Sequence, residues 1–267
     1  MGAALDTILG GVTAPGATLT ALTLASGDSL TIKNAPIDKP VNLIESWVRE
    51  LDTAGIFRIR SPRLHDNVQG IRTRVPSSLV FPFLPDVVNQ PLISQDVLIA
   101  ELSGTATAGG IDSAVLLLYY SEFPGVSARL ITADEADKRM KNLVTVETAI
   151  VTGTTIGYGT ARAFNADFDL LKGNTDYALL GGYTDVRATL ASLRGPDFGN
   201  LRVSFPGEPN IKHVTAEWFL RLSRRTGLPL VPVLSSANKA GTFAEAFISQ
   251  AGGTVNANFV LAELGPA

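Results

Sequence analysis

The sequence predicts an all-β fold in which two antiparallel β-sandwiches follow one another in tandem, with a few short helices. Three observations support this prediction. The apolar residues lie mostly in short runs, which are typical of strands. The 267-residue chain has 25 glycines and 15 prolines, and many of them interrupt these runs as turn residues do. Finally, three short segments of the first half recur in the same order in the second half.

The candidate strands are apolar runs bounded by Gly, Pro, Asn or Asp. Residues 29–33 also alternate polar and apolar side chains, as a half-buried strand does. Many short strands separated by turns indicate a sandwich or a barrel. In chain order, the candidate strands are residues 19–24, 29–33, 56–59, 79–84, 97–102, 114–120, 144–151, 177–180, 201–205, 228–234 and 255–264.

Helical signals are fewer than strand signals. Thr132 is followed three residues later by Glu135, which predicts a helix that begins after a Thr132 N-cap. Residues 40–51 fit a short helix or a strand, because Leu43 and Trp47 are four residues apart. Residues 215–224 and 242–250 are ambiguous in the same way.

Internal similarity is the most informative feature of the sequence. The matched segments share residues that shape strands: a glycine at the entry, a proline that cannot donate to a sheet ladder, or one glutamate between apolar residues. The alternative is that sequence typical of any sandwich recurs by chance. The sequence distance between matched segments grows from one pair to the next, which requires loop insertions in the second half. The matched pairs are residues 55–62 with 199–206, 82–85 with 229–232, and 98–102 with 260–264.

The repeat sets the predicted domain boundaries. Residues 1–16 lack the basic start of a signal peptide and are predicted to be an N-terminal arm that orders on assembly, under a neighbour or near an internal membrane. Residues 17–132 form the first sandwich and residues 143–267 the second. Residues 133–142, the most charged stretch, form the helical linker. No apolar run approaches about 18 residues, so no segment is expected to span a membrane.

Composition and charge exclude several classes of protein. Hydrophobic residues make up 45% of the chain and charged residues 18%, which argues against disorder. A low charged fraction fits either a large core or a surface that is hidden against copies of the chain. The net charge is -3 and no basic cluster stands out along the chain, so direct nucleic-acid binding is not expected. The absence of cysteine excludes disulfides and thiolate metal sites.

The usual catalytic and metal motifs are missing. His65 and His213 are the only histidines, and they do not have the spacing of a zinc site. Residues 153–159 are glycine-rich but lack the lysine of a phosphate loop, so they indicate a mobile turn between strands. No Gly-x-Ser-x-Gly is present, and residues 235–238 fit a polar loop better than a nucleophile elbow.

Charged pairs offer no clearer site. Asp167 and Asp169 alternate with apolar residues, and we expect them to face solvent from a strand rather than to do acid–base work. Asp176 and Asp185 have no visible partner. Residues 224–225, two arginines, fit a salt bridge between subunits or simple solubility. We therefore predict no catalytic residue, no metal ligand and no cofactor-binding residue, and the chain is not expected to be an enzyme.

Tandem sandwiches joined by proline-bearing loops resemble the double jelly-roll major capsid proteins of icosahedral double-stranded DNA viruses. The resemblance covers residues 17–267 and involves no diagnostic motif, and residues 119–125 also look like a strand that runs into a capsid-type turn. The chain is compact for that family. The residues at the centre of the matched segments are Arg58 and Arg202, Pro82 and Pro229, and Glu101 and Glu263.

The resemblance implies two sandwiches of the jelly-roll type in each subunit. It also implies homotrimers with a pseudo-hexagonal outline that self-assemble into an icosahedral shell, so the partners are copies of the chain itself and minor coat proteins. The location implied is the virion, after synthesis in the host cytoplasm. No cofactor is implied.

Two other classes of function remain as alternatives. A phage receptor-binding or tail protein, or a lectin-like sandwich, needs a concave patch with exposed aromatic residues. Trp47 and Trp218, the only tryptophans, are expected to be buried instead. An enzyme on a β scaffold needs a nucleophile–base pair or a metal cluster, and the sequence offers neither.

Overall fold

The computed structural model describes most of the chain as strands and short helices. The described residues are 2–36, 38–49, 55–64, 67–75, 80–82, 90–104, 110–167, 169–248 and 252–266. Three helices are present within them: α1 (Ala133–Arg139), α2 (Lys212–Thr215) and α3 (Trp218–Thr226).

The strands of the first half are β1 (Gly2–Thr13), β2 (Thr20–Ala21), β3 (Thr23–Leu24), β4 (Val41–Arg49), β5 (Gly55–Arg60), β6 (Ile71–Val75), β7 (Val80–Pro82), β8 (Gln90–Leu92), β9 (Ile99–Ser103) and β10 (Ile111–Phe123). The remaining strands are β11 (Leu130–Ile131), β12 (Asn142–Val151), β13 (Arg162–Ala163), β14 (Thr175–Thr184), β15 (Ala188–Arg194), β16 (Arg202–Gly207), β17 (Val231–Ser235), β18 (Phe243–Phe247) and β19 (Thr254–Pro266).

These strands form four antiparallel sheets, which we number by their place in the molecule. Sheet 1 has the order β2-β9-β5-β6, and sheet 2 the order β3-β1-β10-β4-β7, with β8 also paired to β4. Sheet 3 has the order β13-β18-β15-β16, and sheet 4 the order β11-β17-β14-β19-β12. The predicted all-β fold of tandem antiparallel sandwiches is confirmed.

The two halves repeat one strand order. The order β1-β10-β4-β7 of sheet 2 corresponds to β12-β19-β14-β17 of sheet 4, and sheet 1 corresponds strand for strand to sheet 3. In both halves successive strands pass between two sheets, which is the arrangement of a jelly roll. The division into two domains at residues 133–142 stays a prediction, but β11 lies before that boundary and pairs with β17 of the second half.

The sheets stack in the order 1, 2, 3, 4, so that sheet 2 is covered on both faces. One set of its residues packs towards sheet 1 in a core of first-half residues. The other set joins a second core that continues through sheets 3 and 4. Strands buried on both faces have continuous rather than alternating apolar sequence, as β10 does. The residues of sheet 2 that face sheet 3 include Leu5, Leu9, Ile44, Trp47, Val115, Leu117 and Tyr119.

The predicted N-terminal arm is wrong. Residues 2–13 form β1, which pairs with β10 from Gly2 to Thr13 and lies inside sheet 2. Its glycines allow close packing: a Cβ on Gly10 would lie 2.9 Å from the Leu22 Cβ. A strand with neighbours on both sides belongs to the core of the subunit and does not need a partner chain to become ordered.

The internal repeat is real in topology, but the three sequence matches are out of register. Residues 55–62 contain β5, between β9 and β6, whereas residues 199–206 contain most of the edge strand β16. Residues 98–102 contribute to β9 of sheet 1, but residues 260–264 belong to β19 of sheet 4.

The third match, residues 82–85 with 229–232, joins strands that lie on the same edge of sheets 2 and 4. However, β7 pairs with the end of β4, whereas β17 pairs with the start of β14. Residues 83–85 of that match lie outside the described residues.

The true counterparts share other residues. Strand β5 corresponds to β15, and their ends read Ile59-Arg60-Ser61-Pro62 and Leu193-Arg194-Gly195-Pro196. Strand β9 corresponds to β18, so the counterpart of Glu101 is Glu245 and not Glu263. The repeated chemistry is therefore an arginine at the end of one strand beside a glutamate on its neighbour.

The ambiguous segments are resolved by packing. Residues 41–49 form strand β4, because the four-residue spacing of its large side chains reflects burial on both faces and not a helix. Residues 215–224 are helical at α2 and α3, and residues 243–247 form β18. The predicted start of α1 is confirmed: the Thr132 hydroxyl oxygen accepts a hydrogen bond of 3.2 Å from the Glu135 backbone N–H.

Candidate functional site

The contact between sheets 2 and 3 joins the two halves into one body. The Trp47 indole N–H donates to the Thr189 carbonyl oxygen at 2.7 Å, and the Ser113 and Thr189 hydroxyls lie 2.7 Å apart. The Trp47 and Trp218 rings meet edge to face, with centroids 5.5 Å apart. Both tryptophans are buried, as predicted. The Trp218 indole nitrogen is buried without a hydrogen-bond partner among the described residues. Because the contact is otherwise mainly apolar and belongs to a continuous core, we expect it to be permanent.

A buried polar cluster lies at the same contact. Tyr158, in the loop between β12 and β13, donates its hydroxyl proton to the Asp28 carboxylate at 2.5 Å. The Arg202 guanidinium lies 3.8 Å from the centre of the Tyr158 ring and donates to the Glu245 carboxylate at 2.6 Å. Arg194 also donates to Glu245, at 3.3 Å. The cluster therefore joins one carboxylate of the first half to three residues of the second half, with Arg194 at its edge.

Burial determines the protonation of this cluster. Burial raises the pKa of Asp28 above its usual value, although hydrogen bonds from the Leu9 N–H and Tyr158 act in the opposite sense. Burial also raises the pKa of Tyr158 well above its usual value, and the Asp28 charge adds to the shift. Tyr158 is therefore a proton donor at neutral pH. Its ring is 6% exposed, so the cluster fits a structural role better than a reaction with substrate.

A second arginine–glutamate cluster lies on the outer face of sheet 1. Arg58 and Arg60 donate to the Glu101 carboxylate at 2.7 and 3.0 Å. They also donate to the carbonyl oxygens of Val68 and Asn67, at 2.9 and 2.6 Å. Burial alone would raise the pKa of Glu101, but the hydrogen bonds from Arg60 and Arg58 hold it below its usual value.

Two further arginines give this face excess positive charge. Arg72 and Arg74 are exposed on β6, and Arg72 is directly opposite Arg58. Neither forms a salt bridge with a described carboxylate. The exposed face thus combines four arginines with one glutamate, a net charge of about +3, although like charges directly opposite each other destabilise a sheet. We call this surface the arginine face and define it by Arg58, Arg60, Arg72, Arg74 and Glu101.

The arginine face corrects the expectation that no basic cluster exists. The signal was present in the sequence as two Arg-x-Arg pairs, residues 58–60 and 72–74. Because side chains alternate along a strand, each pair places both arginines on one face. A charge count along the chain does not detect this arrangement, whereas a count for each strand face does.

The opposite end of the stack has a different outer face. On β12 the residues that point away from sheet 3 include Leu143, Glu147 and Val151, and the two apolar ones are 64% and 56% exposed. The neighbouring strand β19 adds Asn256 and Asn258, which are half-buried. Helices α1 and α3 pack on β19 and β14 and leave this part of sheet 4 uncovered. We call it the β12 face.

A cleft lies between the loop before β4 and the loop before β9. It has a volume of about 690 Å³. Lys39 and Arg63 contribute cations and Asp38 a carboxylate, while Asn34 and Ser94 add neutral polar groups. Because its charges are mixed and its described lining residues include no histidine, the cleft does not present an acid–base pair.

The residues considered in the sequence as catalytic candidates are dispersed. His65 lies outside the described residues, and His213 is exposed on α2. The loop at residues 153–159 holds the buried Tyr158, so it is anchored where a mobile turn was expected. Residues 236–241 form a 3₁₀ turn, and the Ser236 hydroxyl oxygen accepts from the Thr175 N–H at 3.0 Å.

The charged candidates all have partners within the chain. Asp167 and Asp169 lie in a loop and not on the expected strand; Asp167 is paired with Arg162, and Asp169 accepts from Lys239 at 2.5 Å. Asp176, for which no partner was visible, binds Arg129 through two hydrogen bonds of 2.8 and 2.5 Å.

The remaining charged candidates also form local contacts. Asp185 accepts from the backbone and side-chain nitrogens of Asn256 at 2.9 and 2.6 Å. Arg224 donates to Asp137 at 2.8 Å, and Arg225 lies 3.5 Å from the buried Glu45 carboxylate. These two arginines therefore form contacts within the subunit, and the salt bridge between subunits stays a prediction.

Metal sites and membrane-spanning helices are two further features to consider. Within the described ranges, no group of three or more His, Asp or Glu side chains is placed to hold a metal ion. Over the same ranges, none of the helices has the length and apolar character needed to cross a membrane.

Comparison with known proteins does not assign this chain to a family. No protein family matches the sequence, and no curated protein matches it. Among solved structures, the chain is similar to the PBSX exported protein XepA, with 10% identity, a TM-score of 0.26, and coverage of 97% of this chain and 86% of that one. It is also similar to the T=1 Penaeus vannamei nodavirus, with 12% identity, a TM-score of 0.24 and 98% of each chain covered.

A third similarity is to a cupin 2 conserved barrel domain protein from Leptotrichia buccalis, with 9% identity, a TM-score of 0.19, and coverage of 94% and 92%. At these TM-scores the three similarities carry no argument about function. What is established for this chain is the β-sandwich architecture seen in its own strand pairing.

Proposed function

We propose that this chain is a structural coat subunit that self-assembles, through homotrimers, into an icosahedral viral shell. The proposal assigns no catalytic step, metal or cofactor to the chain. Its partners are copies of itself and minor coat proteins, and its place is the virion, after synthesis in the host cytoplasm.

The observation that supports this proposal is the repeated jelly-roll strand order within one body. Sheets 1 and 2 and sheets 3 and 4 use the same strand order, and a continuous core joins sheet 2 to sheet 3. A subunit with two similar modules can place six similar units in a trimer, so that near-equivalent contacts repeat around a ring. Such repetition is useful for tiling a closed shell and is not needed for binding one ligand.

The charge distribution also supports a surface meant for large partners. Functional chemistry normally gathers titratable groups in a cleft. Here the arginine face is an exposed sheet surface with excess positive charge, and the cluster of Asp28, Tyr158, Arg202 and Glu245 is buried between the sandwiches. A charged sheet surface is suited to an extended partner surface.

Electron microscopy of the purified protein, over a range of salt and pH, tests the proposal. We expect trimers with a near-hexagonal outline, and closed particles in at least one condition. A protein that stays strictly monomeric in every condition, at concentrations up to the millimolar range, contradicts the proposal. Binding of the monomer to a glycan array would then favour the receptor-binding or lectin-like alternative.

A further inference from the structure

The contact between sheets 2 and 3 provides a template for a second contact that the subunit leaves open. Within the chain, the outer face of sheet 2 covers the outer face of sheet 3. The counterparts of these two faces are the outer faces of sheet 4 and sheet 1. They lie at the two ends of the stack, and no other described sheet covers either of them.

A shared irregularity in the strand pairing fixes which residues of the two halves correspond. The register of β4 on β10 shifts beside Leu117, and the register of β14 on β19 shifts beside Val260, so these two residues correspond. Leu117 pairs with Thr7, and Val260 pairs with Thr145. Two residues later on the same face, Leu9 therefore corresponds to Glu147.

The same correspondence extends across the sheet. Leu9 pairs with Val115, which pairs with Trp47. Glu147 pairs with Asn258, which pairs with Tyr183. The β12 face thus has a carboxylate, Glu147, at the position where sheet 2 has Leu9, and a second one, Asp185, two residues beyond Tyr183.

The template also identifies what Glu147 would meet. Within the chain, the Thr7 hydroxyl donates to the Arg202 carbonyl oxygen at 2.9 Å, at the start of β16. The counterpart of β16 is β6, and the position that matches Arg202 lies two residues before Arg72. A second copy that repeated this contact would place Thr145 at the start of β6, with Glu147 two residues away on the side that faces the arginine face.

We infer that the β12 face of one subunit docks on the arginine face of a second copy, in the same way as sheet 2 docks on sheet 3. The charges of the two faces support a second copy of the chain as the partner. The arginine face has a net charge of about +3, and the β12 face presents Glu147 and Asp185 without a salt bridge to any described cation. The contact is head-to-tail, and a contact of this kind generates a ring when the rotation between copies closes. The proposed trimer requires that it closes at three copies.

Exposed apolar residues on both faces support the same partner, a second copy of the chain. Leu143 and Val151 flank Glu147 on β12, and Val68 is 69% exposed beside Arg58. Both β6 and β12 are edge strands of their sheets, and such strands are available to a neighbour. Because no exposed large apolar residue in the described part of the chain is aromatic, base stacking by nucleic acid has no platform there.

Disulfide trapping tests the inference directly, because the chain contains no cysteine. A variant with both Arg72→Cys and Glu147→Cys is expected to form covalent dimers and trimers on mild oxidation of the assembled protein. Each single-cysteine variant is the first control. A variant with Arg72→Cys and Lys138→Cys, which places the second thiol on α1, is the other, and we expect neither to form the trimer. Equal cross-linking by the Lys138 control, or none by the test pair, overturns the inference.

Charge reversal gives an independent readout. Arg72→Glu is expected to weaken association by at least about tenfold, because it places like charges opposite each other. Arg72→Glu combined with Glu147→Lys is expected to recover most of the loss. Both positions are exposed, so thermal unfolding of the dissociated variants should match that of the wild type.

The outcomes separate this inference from the proposed function on which it rests. If the wild type assembles but Arg72→Glu has no effect on assembly, the contact is wrong and the coat function stands. If Arg72→Glu assembles normally and loses binding to heparin or single-stranded DNA, the arginine face binds a polyanion and the inference is overturned. If the wild type never assembles, both fail.

Discussion

Sheets 2 and 4 hold the same place in their jelly rolls, yet their outer faces have opposite character. Sheet 2 presents Leu9, Val115 and Trp47, and at the corresponding positions sheet 4 has Glu147, Asn258 and Tyr183. The first face is buried under sheet 3, and the second is exposed or half-buried. The comparison teaches that one strand order was adapted for a permanent contact in one half and for a solvated surface in the other.

Sheets 1 and 3 differ in the same sense. On sheet 3, Arg194 and Arg202 share Glu245, and Asp28 of the other half adds a second carboxylate 3.9 Å from Arg202, so the buried face is close to neutral. On sheet 1, one glutamate faces four arginines. Charges that are buried must be paired, whereas exposed charges can await a partner.

Trp47→Ala is expected to have the largest effect, since it empties the centre of the covered face. Trp47 is fully buried, packs on Trp218 and donates to Thr189. Its loss should lower the free energy of unfolding by about 3–5 kcal/mol in urea titrations. Glu147→Ala, on the exposed counterpart face, is the matched control and should change it by less than about 0.5 kcal/mol. Similar effects of the two changes would show that the faces are not different in burial.

Arg202→Met should have the next largest effect. It keeps most of the side-chain volume but leaves Asp28 and Glu245 with less positive charge beside them. We expect a loss of about 2 kcal/mol in the free energy of unfolding, because buried carboxylates are costly when a partner is removed. Arg74→Met on the arginine face is the control and should be close to neutral. If both variants unfold like the wild type, the buried cluster does not hold the halves together.

Glu101→Gln should give a small effect that depends on pH. The pKa of Glu101 in the folded protein is held below 4.5, so the ionised form contributes stability above that pH, and the contribution is lost as the pH falls through the folded pKa. The free energy of unfolding of the variant should therefore lie within about 1 kcal/mol below that of the wild type at pH 7. The gap should narrow below pH 4.5. A gap that stays constant, or grows with acidity, would contradict the assigned role of Arg58 and Arg60.

The sequence was sufficient for the fold class and for local signals with a clear chemical cause. The Thr132 cap and the short strands follow from side chains that act on their own backbone. Strand β4 was ambiguous because a strand buried on both faces loses its two-residue period. Residues 1–16 were misassigned because the burial of β1 depends on pairing with β10, more than 100 residues away.

The sequence matches that indicated the repeat do not join structurally equivalent residues. Glycines and prolines end most strands of a sandwich, so matches based on them do not fix the register. The pairs that do correspond, Arg60 with Arg194 and Glu101 with Glu245, are marked by charge on neighbouring strands. Such a pattern becomes visible only when strand pairing is known. The arginine face, in contrast, was accessible from the sequence through its two Arg-x-Arg pairs.

Hydrogen–deuterium exchange on assembled and dissociated protein tests the central claim most directly. Amides of the edge strands β6 and β12 should gain protection on assembly, because the two outer faces of the stack become covered. Amides of β1 and β10 should be protected equally in both states, since the contact between sheets 2 and 3 belongs to the subunit. Unchanged exchange at β6 and β12, or protection that appears at β1 and β10 only on assembly, would contradict the account.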